Sequence, residues 1–527
     1  MSHHKPDPNK SVNLTIDGMP VTVPEGTTIL EAARKVNVNI PALCNYSGLG
    51  KRAVCRICVV ECDGRGKLVP ACANDVWEGV SVVTNSLRIL NIRRTIIELL
   101  LNDHPPECLG CVKNKKCELQ TLAAAFGVRE TPFRHSALDR RPPETENKIL
   151  VRDMSKCVKC GRCVEVCQEV QTARAINSSG RSINYEICAP YSQALNGGSC
   201  IFCGQCAEVC PVGAIFENDQ TKEIETALNN KGLHVAALIA PAVAAAISDE
   251  FEFPPGTITN GKLASALKRI GFSQVFDAAS FADIAVREES QELLDRVKNP
   301  GNTQCRMPMI TGCSPALKNF IGKFYPDLTA HLPAGKSPGQ LFRTLLRDNY
   351  PRLKGTEASK IISVSVMPCI ANKGEAQQPG AENSNQAQTD FSLTPRELAE
   401  IIKIYGLDLA NLPETPFDEF PFDSQGGKGA AGEILGRVYE AYSGKLLPPP
   451  VYKETQNRPG IKEAEADLQG TRVKILYIDS PAHARPVLDA VRKGECDAAF
   501  IEINCCSMNG VCIKTQHGGQ AASKSGN

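Results

Sequence analysis

Cysteine carries the chemistry of this 527-residue chain: it has 24, and 17 of them fall between Cys44 and Cys210. The sharpest pattern is a duplication. Cys157-x2-Cys160-x2-Cys163-x3-Cys167 returns as Cys200-x2-Cys203-x2-Cys206-x3-Cys210-Pro211. Thiolates at this spacing hold two [4Fe–4S] cubanes in the two-cluster ferredoxin pattern, in which the fourth cysteine of each run ligates the other cluster. One cubane then takes Cys157, Cys160, Cys163 and Cys210, and the other takes Cys200, Cys203, Cys206 and Cys167. Gln168 stands where proline would follow the first run, which costs no ligand. Cys188, between the runs, fits neither.

Two further groups lie upstream. Cys44, Cys55, Cys58 and Cys72, spaced x10, x2 and x13, can hold the two irons of a [2Fe–2S] cluster. Four thiolates also make a closed zinc site, which is the alternative. Cys62 has no partner at ligand spacing and is expected as a buried or free thiol. His104-x3-Cys108-x2-Cys111-x5-Cys117 offers one imidazole and three thiolates, the donors of a third [4Fe–4S] cluster. A neutral imidazole in place of a thiolate removes one negative charge, which shifts the potential and couples it to pH.

These ligands need elements to hold them. Val12–Ile16 and Val21–Val23 alternate around Asp17-Gly18, a hairpin signal, and a helix follows from about Thr28 to Lys35. A second helix, about Ser86–Leu101, leads to His104. Residues 126–148 are polar and proline-bearing, and are expected as a connector. Farther on, strand-like Lys474–Ile478 precedes helical Ala482–Lys493, the alternation of an α/β domain with parallel sheets.

Composition bounds the rest. Apolar residues make 42% of the chain and charged residues 22%, with a net charge of +1, so neither nucleic acid nor an anionic membrane is expected as partner. The apolar run Val235–Ile247 holds Pro241 and is shorter than the ~20 residues of a membrane span. The first residues carry no charged-then-apolar leader, so a cytoplasmic location is expected, where disulfides are rare and clustered thiols serve metals.

The order of these groups, [2Fe–2S], histidine-ligated cluster, two-cluster ferredoxin, resembles the N-terminal half of [FeFe] hydrogenases. The first part also resembles the large iron–sulfur subunit of respiratory complex I. Downstream, Leu238–Ile247, Val275–Asp277, Arg287–Leu293, Pro308–Pro315, Lys336–Pro338, Val366–Cys369, Leu393–Leu398, Gly460–Glu465 and Phe500–Glu502 resemble segments of the hydrogenase catalytic domain, in order. The resemblance implies a multidomain α/β chain. Its parts are a β-grasp [2Fe–2S] domain (10–88), a histidine-ligated cluster domain with linker (89–148), a two-[4Fe–4S] ferredoxin domain (149–225) and an α/β hydrogenase-like domain (230–520). Gly427-Lys-Gly-Ala-Ala-Gly432 fits G-x-G-x-x-G, but proline-rich Pro413–Ser424 precedes it in place of a strand, so nicotinamide binding on this chain is not expected.

The resemblance also marks departures at the hydrogen-activating site. The family holds a cubane on four cysteines, one bridging to a diiron unit. Here Ser314 takes the place of a cubane cysteine beside Cys313, and Asn372 takes the place of a lysine that donates to the diiron ligands. The third loop reads Cys505-Cys506-x5-Cys512, lengthened, and the chain stops seven residues after Gln520 without the usual helical tail. Glu289 and Glu292 align with the family's proton-relay carboxylates, with a surface-helix role as the alternative. Serine binds soft iron far less well than thiolate. The expectation is therefore that Cys313, Cys369, Cys506 and Cys512 hold a plain [4Fe–4S] cluster with no diiron unit, an emptied pocket or a complete hydrogen-activating cluster being the other outcomes. Cys305, Cys496 and Cys505 are reserve ligands, each expected as a small buried hydrophobe. Two functions follow. One is an electron-relay subunit of an NAD(H)-linked, bifurcating complex without H2 activity. The other is an active [FeFe] hydrogenase. For the first, the resemblance implies a flavin- and NAD-binding diaphorase subunit, a small [2Fe–2S] subunit, ferredoxin, and formate dehydrogenase or another catalytic subunit as partners.

Overall fold

The turn at Asp17-Gly18 sets the first sheet. Both residues have positive φ, 49° and 80°, as a two-residue hairpin turn of this twist requires. They join β1 (Ser11–Ile16) to β2 (Met19–Pro24), antiparallel, with Val12 opposite Val23 and Leu14 opposite Val21. With β3 (Val59–Cys62), β4 (Val69–Pro70) and β5 (Ser81–Val83) the sheet order is β2-β1-β5-β3-β4. The helix Ile29–Lys35 starts at a capping box between Thr28 and Glu31, and buries Ile29, Leu30, Ala32 and Ala33 in the same core as the inner face of β1. Cys62 is buried in this core.

The computed structural model describes residues 7, 10–63, 68–133, 142–147, 149–190, 195, 198–298, 306–355, 357–376, 391–420, 452–455, 458–468 and 471–505. The chain forms two units: residues up to 169 with 174–198 and 205–216, and residues 170–173, 199–204 and those from 217 onward. In the first unit the helix Leu87–Asn102, capped by Ser86, is pinned by buried Arg93, which donates to the carbonyls of Ile57 (3.0 Å) and Val59 (2.8 Å). The helix Glu118–Ala125 follows. The strands β6 (Leu150–Arg152) and β9 (Ile215–Glu217) pair, as do β7 (Asn177–Ser179) and β8 (Glu186–Cys188). Short helices Arg162–Glu165 and Gln205–Glu208 carry Cys163 and Cys206.

The second unit holds two larger sheets. In the first, β10 (His234–Ile239), β11 (Gln274–Asp277), β13 (Ile361–Val366) and β14 (Phe391–Leu393) run parallel in the order β11-β10-β13-β14. Its faces are covered by helices. Leu263 and Leu267 of Asn260–Ile270 and Leu398, Ile401 and Ile402 of Pro395–Ile404 lie on one side, and Phe281, Phe342 and Leu346 on the other. The second sheet has β12 (Met309–Thr311), β15 (Lys453–Glu454), β16 (Ile461–Leu468), β17 (Thr471–Ile478) and β18 (Ala498–Ile503) in the order β12-β18-β17-β16-β15. It corrects the expectation of parallel sheets throughout. β12, β18 and β17 are parallel, but β17–β16 and β16–β15 are antiparallel. Leu468 and Thr471 are separated by two residues, a link that can join only antiparallel strands. Among the described residues no helix is long and apolar enough to cross a membrane.

Candidate metal centres

The four cysteines of the first group meet. Cys44 accepts hydrogen bonds from the thiols of Cys55 and Cys72, which lowers it to about 2, and Cys58 accepts from Cys72, which lowers it to about 7. The donors Cys55 and Cys72 are pushed up by the same bonds. Thiols within hydrogen-bond reach of one another, three of them buried, suit a shared dinuclear metal centre. Arg56, between Cys55 and Cys58, is held at φ 60°, backbone strain stored in the loop.

Cys157, Cys160, Cys163 and Cys210 line one cavity with Val158, Gly161 and Val212, which is the ligand set expected from the crossed ferredoxin pattern. Burial pushes Cys157 up to about 11 and Cys160 to about 12, and raises Cys163 well above its ordinary value too, with the other cysteines of the cavity adding repulsion. Such thiols ionise only against compensating positive charge, which iron supplies, so the donor set and the cavity fit a cubane. The duplicated runs repeat a backbone device. Lys159 and Phe202, at φ 55° and 57°, point their N–H groups at Cys157 Sγ and Cys200 Sγ, 3.4 Å each. Donors aimed at sulfur stabilise a reduced cluster. Cys167 accepts from Ala175 N–H at 3.3 Å. Cys167 and Cys206 belong to the first unit, and Cys200 and Cys203 to the second.

Burial raises the Cys117 thiol, and the charges of Cys111 and Cys108 add to the rise, which puts their sulfurs within electrostatic reach of Cys117. A Cβ on Gly213 would lie 2.7 Å from Cys111 Sγ and 3.6 Å from Lys156 Cδ. The His104 ring hydrogen-bonds the backbone carbonyl of that same Lys156, but burial first and the Lys156 charge second lower its pKa. The ring is therefore neutral near pH 7, the form that can bind metal.

In the second unit Cys313, Cys369 and Cys505 follow the C-terminal ends of β12, β13 and β18, where parallel sheets present ligands. β12 and β18 are neighbours, and a Cβ on Gly312 would lie 2.4 Å from the Ile503 carbonyl, so Cys313 and Cys505 leave adjacent strand ends. Cys505 is buried. Its thiol is pushed up by burial and then by the charges of Cys313 and Cys369. The sequence marks Cys505 as a reserve ligand that is expected as a small buried hydrophobe. It is buried, and within electrostatic reach of the other two thiols. Ser314 caps the helix Pro315–Phe324, its hydroxyl accepting from Ala316 N–H at 3.3 Å and lying 3.5 Å from Cys369 Sγ. Cys496 lies two residues before β18, half-buried. Cys305, Cys506, Cys512 and Gly427–Gly432 lie outside the described residues.

Asn372 turns onto its own loop, its amide donating to the Cys369 carbonyl at 3.2 Å. The next residue, Lys373, is fully buried and bonds Glu397 Oε1 (2.8 Å), the Ser392 carbonyl (2.8 Å) and Gln220 Oε1 (3.4 Å), so it cannot replace the missing donor. Glu289 is half-buried and accepts from Thr311 at 3.3 Å. Glu292 is held by Arg296 and by Ala334 N–H (3.0 Å). Sequence reasoning gave Glu502 no role. It lies between Thr311 and Tyr477 on neighbouring strands, and burial first, Glu289 second, push it up to about 7. Its signal was a glutamate inside the apolar strand Ala498–Ile503.

Cluster-binding modules followed by an α/β domain that gathers thiols at its strand ends define an iron–sulfur oxidoreductase. The 2Fe-2S iron-sulfur cluster binding domain matches residues 9–86, the NADH-ubiquinone oxidoreductase-G iron-sulfur binding region 93–132, and the 4Fe-4S binding domain 150–169 and 195–216. The C-terminal domain of the iron only hydrogenase large subunit matches 233–515. The chain is 37% identical to the NADP-reducing hydrogenase subunit HndD of Solidesulfovibrio fructosivorans over 95% of its own length and 88% of that protein. It is 32% identical to iron hydrogenase 1 of Clostridium pasteurianum, covering 95% and 87%. Over 32% of the chain and 20% of the relative it is 34% identical to the NADPH-Fe(3+) oxidoreductase subunit alpha of Geobacter sulfurreducens. A solved variant of the [FeFe]-hydrogenase HydA1 from Chlamydomonas reinhardtii superposes with a TM-score of 0.51 at 25% identity, covering 58% of this chain and 85% of that one. The chain belongs to the iron-only hydrogenase large-subunit family.

Proposed function

We propose that this chain is the iron–sulfur relay subunit of a cytoplasmic, multi-subunit, NAD(H)-linked and bifurcating oxidoreductase, with a hydrogenase-like domain that has given up hydrogen chemistry. The [2Fe–2S] cluster sits on Cys44, Cys55, Cys58 and Cys72. His104, Cys108, Cys111 and Cys117 hold the first [4Fe–4S] cluster, and the duplicated runs hold two more in the crossed arrangement. The clusters supply one-electron transfer, and the chain's own residues space them and set their potentials. The domain boundaries 10–88, 89–148, 149–225 and 230–520 belong to the same reading.

At the hydrogenase-like site we place a plain [4Fe–4S] cluster on Cys313 and Cys369, with the remaining ligands drawn from Cys505, Cys506 and Cys512. The observation that carries the loss of H2 activity is Ser314, a hydroxyl 3.5 Å from Cys369 Sγ where the family would place a thiolate. Asn372 and the fully engaged Lys373 support it. A flavin-bearing, NAD-binding diaphorase subunit and a small [2Fe–2S] subunit supply electrons from NADH. Ferredoxin and a catalytic subunit, formate dehydrogenase in the leading case, stand at the other end. This partner assignment is by analogy with the relatives.

Infrared spectroscopy of the protein matured with hydrogenase assembly factors tests the reading. No bands of bound CO or cyanide are expected, and their appearance would favour the active hydrogenase. Anaerobic protein should carry about 14 irons from the four N-terminal clusters, or about 18 with the fifth. About eight or fewer after reconstitution would sink the cluster assignment.

A further inference from the structure

Arg162 stands between ligand groups. It directly precedes Cys163, is only 2% exposed, and directs its guanidinium to residues one step from ligands of other groups. Nη2 donates to the carbonyl of Asn45, the neighbour of Cys44, at 2.9 Å. Nη1 and Nη2 fork onto the two oxygens of Glu118, the neighbour of Cys117, at 2.6 and 2.8 Å. Nη1 also reaches the carbonyl of Val209, before Cys210, at 3.4 Å, and the plane lies over Tyr46, 5.3 Å from its ring centre. Glu118 closes the circle: its N–H donates to the carbonyl of Pro211, just after Cys210, at 2.9 Å.

A second clamp lies beside it. Glu165 accepts from Gly50 N–H at 2.6 Å and faces Arg52 at 3.6 Å, while the Arg52 guanidinium fills the space that a Cβ on Gly161 would take, 2.5 Å away. The loop leading into Cys55 is thereby seated on the turn between Cys160 and Cys163.

We propose that Arg162 is the positioning residue of the relay: its guanidinium locks the Cys44 loop, the Cys117 turn and the Cys163–Cys210 cradle at fixed spacing and places one positive charge among their clusters. This rests on the relay function proposed above. The fork geometry needs arginine, because lysine carries a point charge and cannot bond Glu118 with two donors while holding Asn45. A buried cation near these sulfurs favours the more negative, reduced state of each cluster.

The test uses the full chain, anaerobically reconstituted, as wild type, Arg162→Lys and Arg162→Met. Redox-titrated EPR gives the potentials of the [2Fe–2S] cluster and the neighbouring cubane, and the magnetic interaction between reduced clusters reports their spacing. R162M should lower both potentials. R162K should keep them near wild type, yet lose the magnetic interaction and slow electron passage from the [2Fe–2S] cluster to the cubane by roughly tenfold, as for other small losses of geometry. R162K with wild-type interaction and rate would overturn the positioning role, even if R162M lost iron. R162M with full iron and unshifted potentials would overturn the role of the charge. If the wild type itself passed no electrons between these clusters, the relay reading would fail.

Discussion

Lys373 Nζ lies 2.8 Å from Glu397 Oε1, with both side chains fully buried, four residues after Cys369 and one after Asn372. Glu397 Oε2 in turn accepts from Thr394 N–H at 2.8 Å, and Oε1 from Gln220 N–H at 3.0 Å. The pair anchors the Cys369 loop to the helix Pro395–Ile404. Removing one partner strands a buried charge, so Lys373→Met should cost about 3–5 kcal/mol. The double variant with Glu397→Gln should recover part of that loss. Denaturant unfolding of the full chain measures both, and equal stability of single and double variants would count against the pair as anchor.

The chain should not turn over hydrogen. Ser314, Asn372 and the Cys506-x5-Cys512 spacing depart from the family pattern at one site, and catalytic geometry tolerates errors of only about 0.5 Å. Protein matured with the assembly factors should give no methyl-viologen-driven H2 evolution beside an intact family member. A rate within about tenfold of that control, roughly 1.4 kcal/mol in barrier, would refute the prediction. Ser314→Cys with Asn372→Lys should not restore activity, because the third loop remains altered.

Much of the relay half was legible because its signals are local. Cys-x-x-Cys spacing and the Asp17-Gly18 hairpin reside within a few residues of one another. Arg162 was invisible for the opposite reason: its partners Glu118 and Asn45 lie 44 and 117 residues earlier in the chain. Lys373 likewise acquires meaning only from Glu397, 24 residues on. The β16–β17 hairpin is hidden because a strand followed directly by a helix, as Lys474–Ile478 is, also fits half of a parallel unit, and only its pairing with β16 shows the antiparallel neighbour. Cys505 looked apolar because its companions, Cys313 and Cys369, come from other loops.

Cys160→Ala should remove one [4Fe–4S] EPR signal and spare the [2Fe–2S] signal. Cys160 lines the cavity with Cys157, Cys163 and Cys210, whereas Cys44, Cys55, Cys58 and Cys72 bond one another elsewhere in the unit. Loss of the [2Fe–2S] signal together with the cubane, at unchanged folding, would show that the two groups do not load independently.

Glu289 and Glu502 give a pH dependence with a definite sign. Burial leads in pushing each of them up to about 7, Thr311 and the cations Lys318 and Arg296 opposing it at Glu289, Glu292 adding to it there, and Glu289 adding to it at Glu502. Tyr452 and Tyr477 also face Glu502 and are raised in turn, by burial first. In the unfolded chain both carboxyls release their protons near 4.5. The folded state thus binds more protons between about 4.5 and 7, so the pair's contribution to stability falls as pH rises through that window and is lowest above it. Glu502→Gln should therefore gain stability relative to wild type from about pH 5 to about pH 8. Thermal unfolding at the two values measures it, and a constant difference would contradict the shift.

The last prediction concerns Gly204, which follows Cys203 as Ile370 follows Cys369. At φ +74° it lies so close that an added Cβ would come 2.7 Å from Ile370 Cβ. Around it, Asn319 donates to the Ile201 carbonyl at 3.2 Å, and Lys323 sits 5.3 Å from the centre of the Phe202 ring. Glycine is needed twice over, for the left-handed backbone and for the approach. The closeness brings a ferredoxin-run cysteine and Cys369 onto adjoining backbone, a short step for an electron if a cluster occupies each side. Gly204→Ala should keep the iron content, because no ligand changes, yet slow reduction of the cluster at Cys369. Ile370→Gly in the same chain, which removes the Cβ that the added methyl would meet, should relieve the contact and restore part of the rate. Rapid-freeze EPR after mixing with a low-potential donor measures the step, and an unslowed Gly204→Ala variant would remove this contact from the electron path.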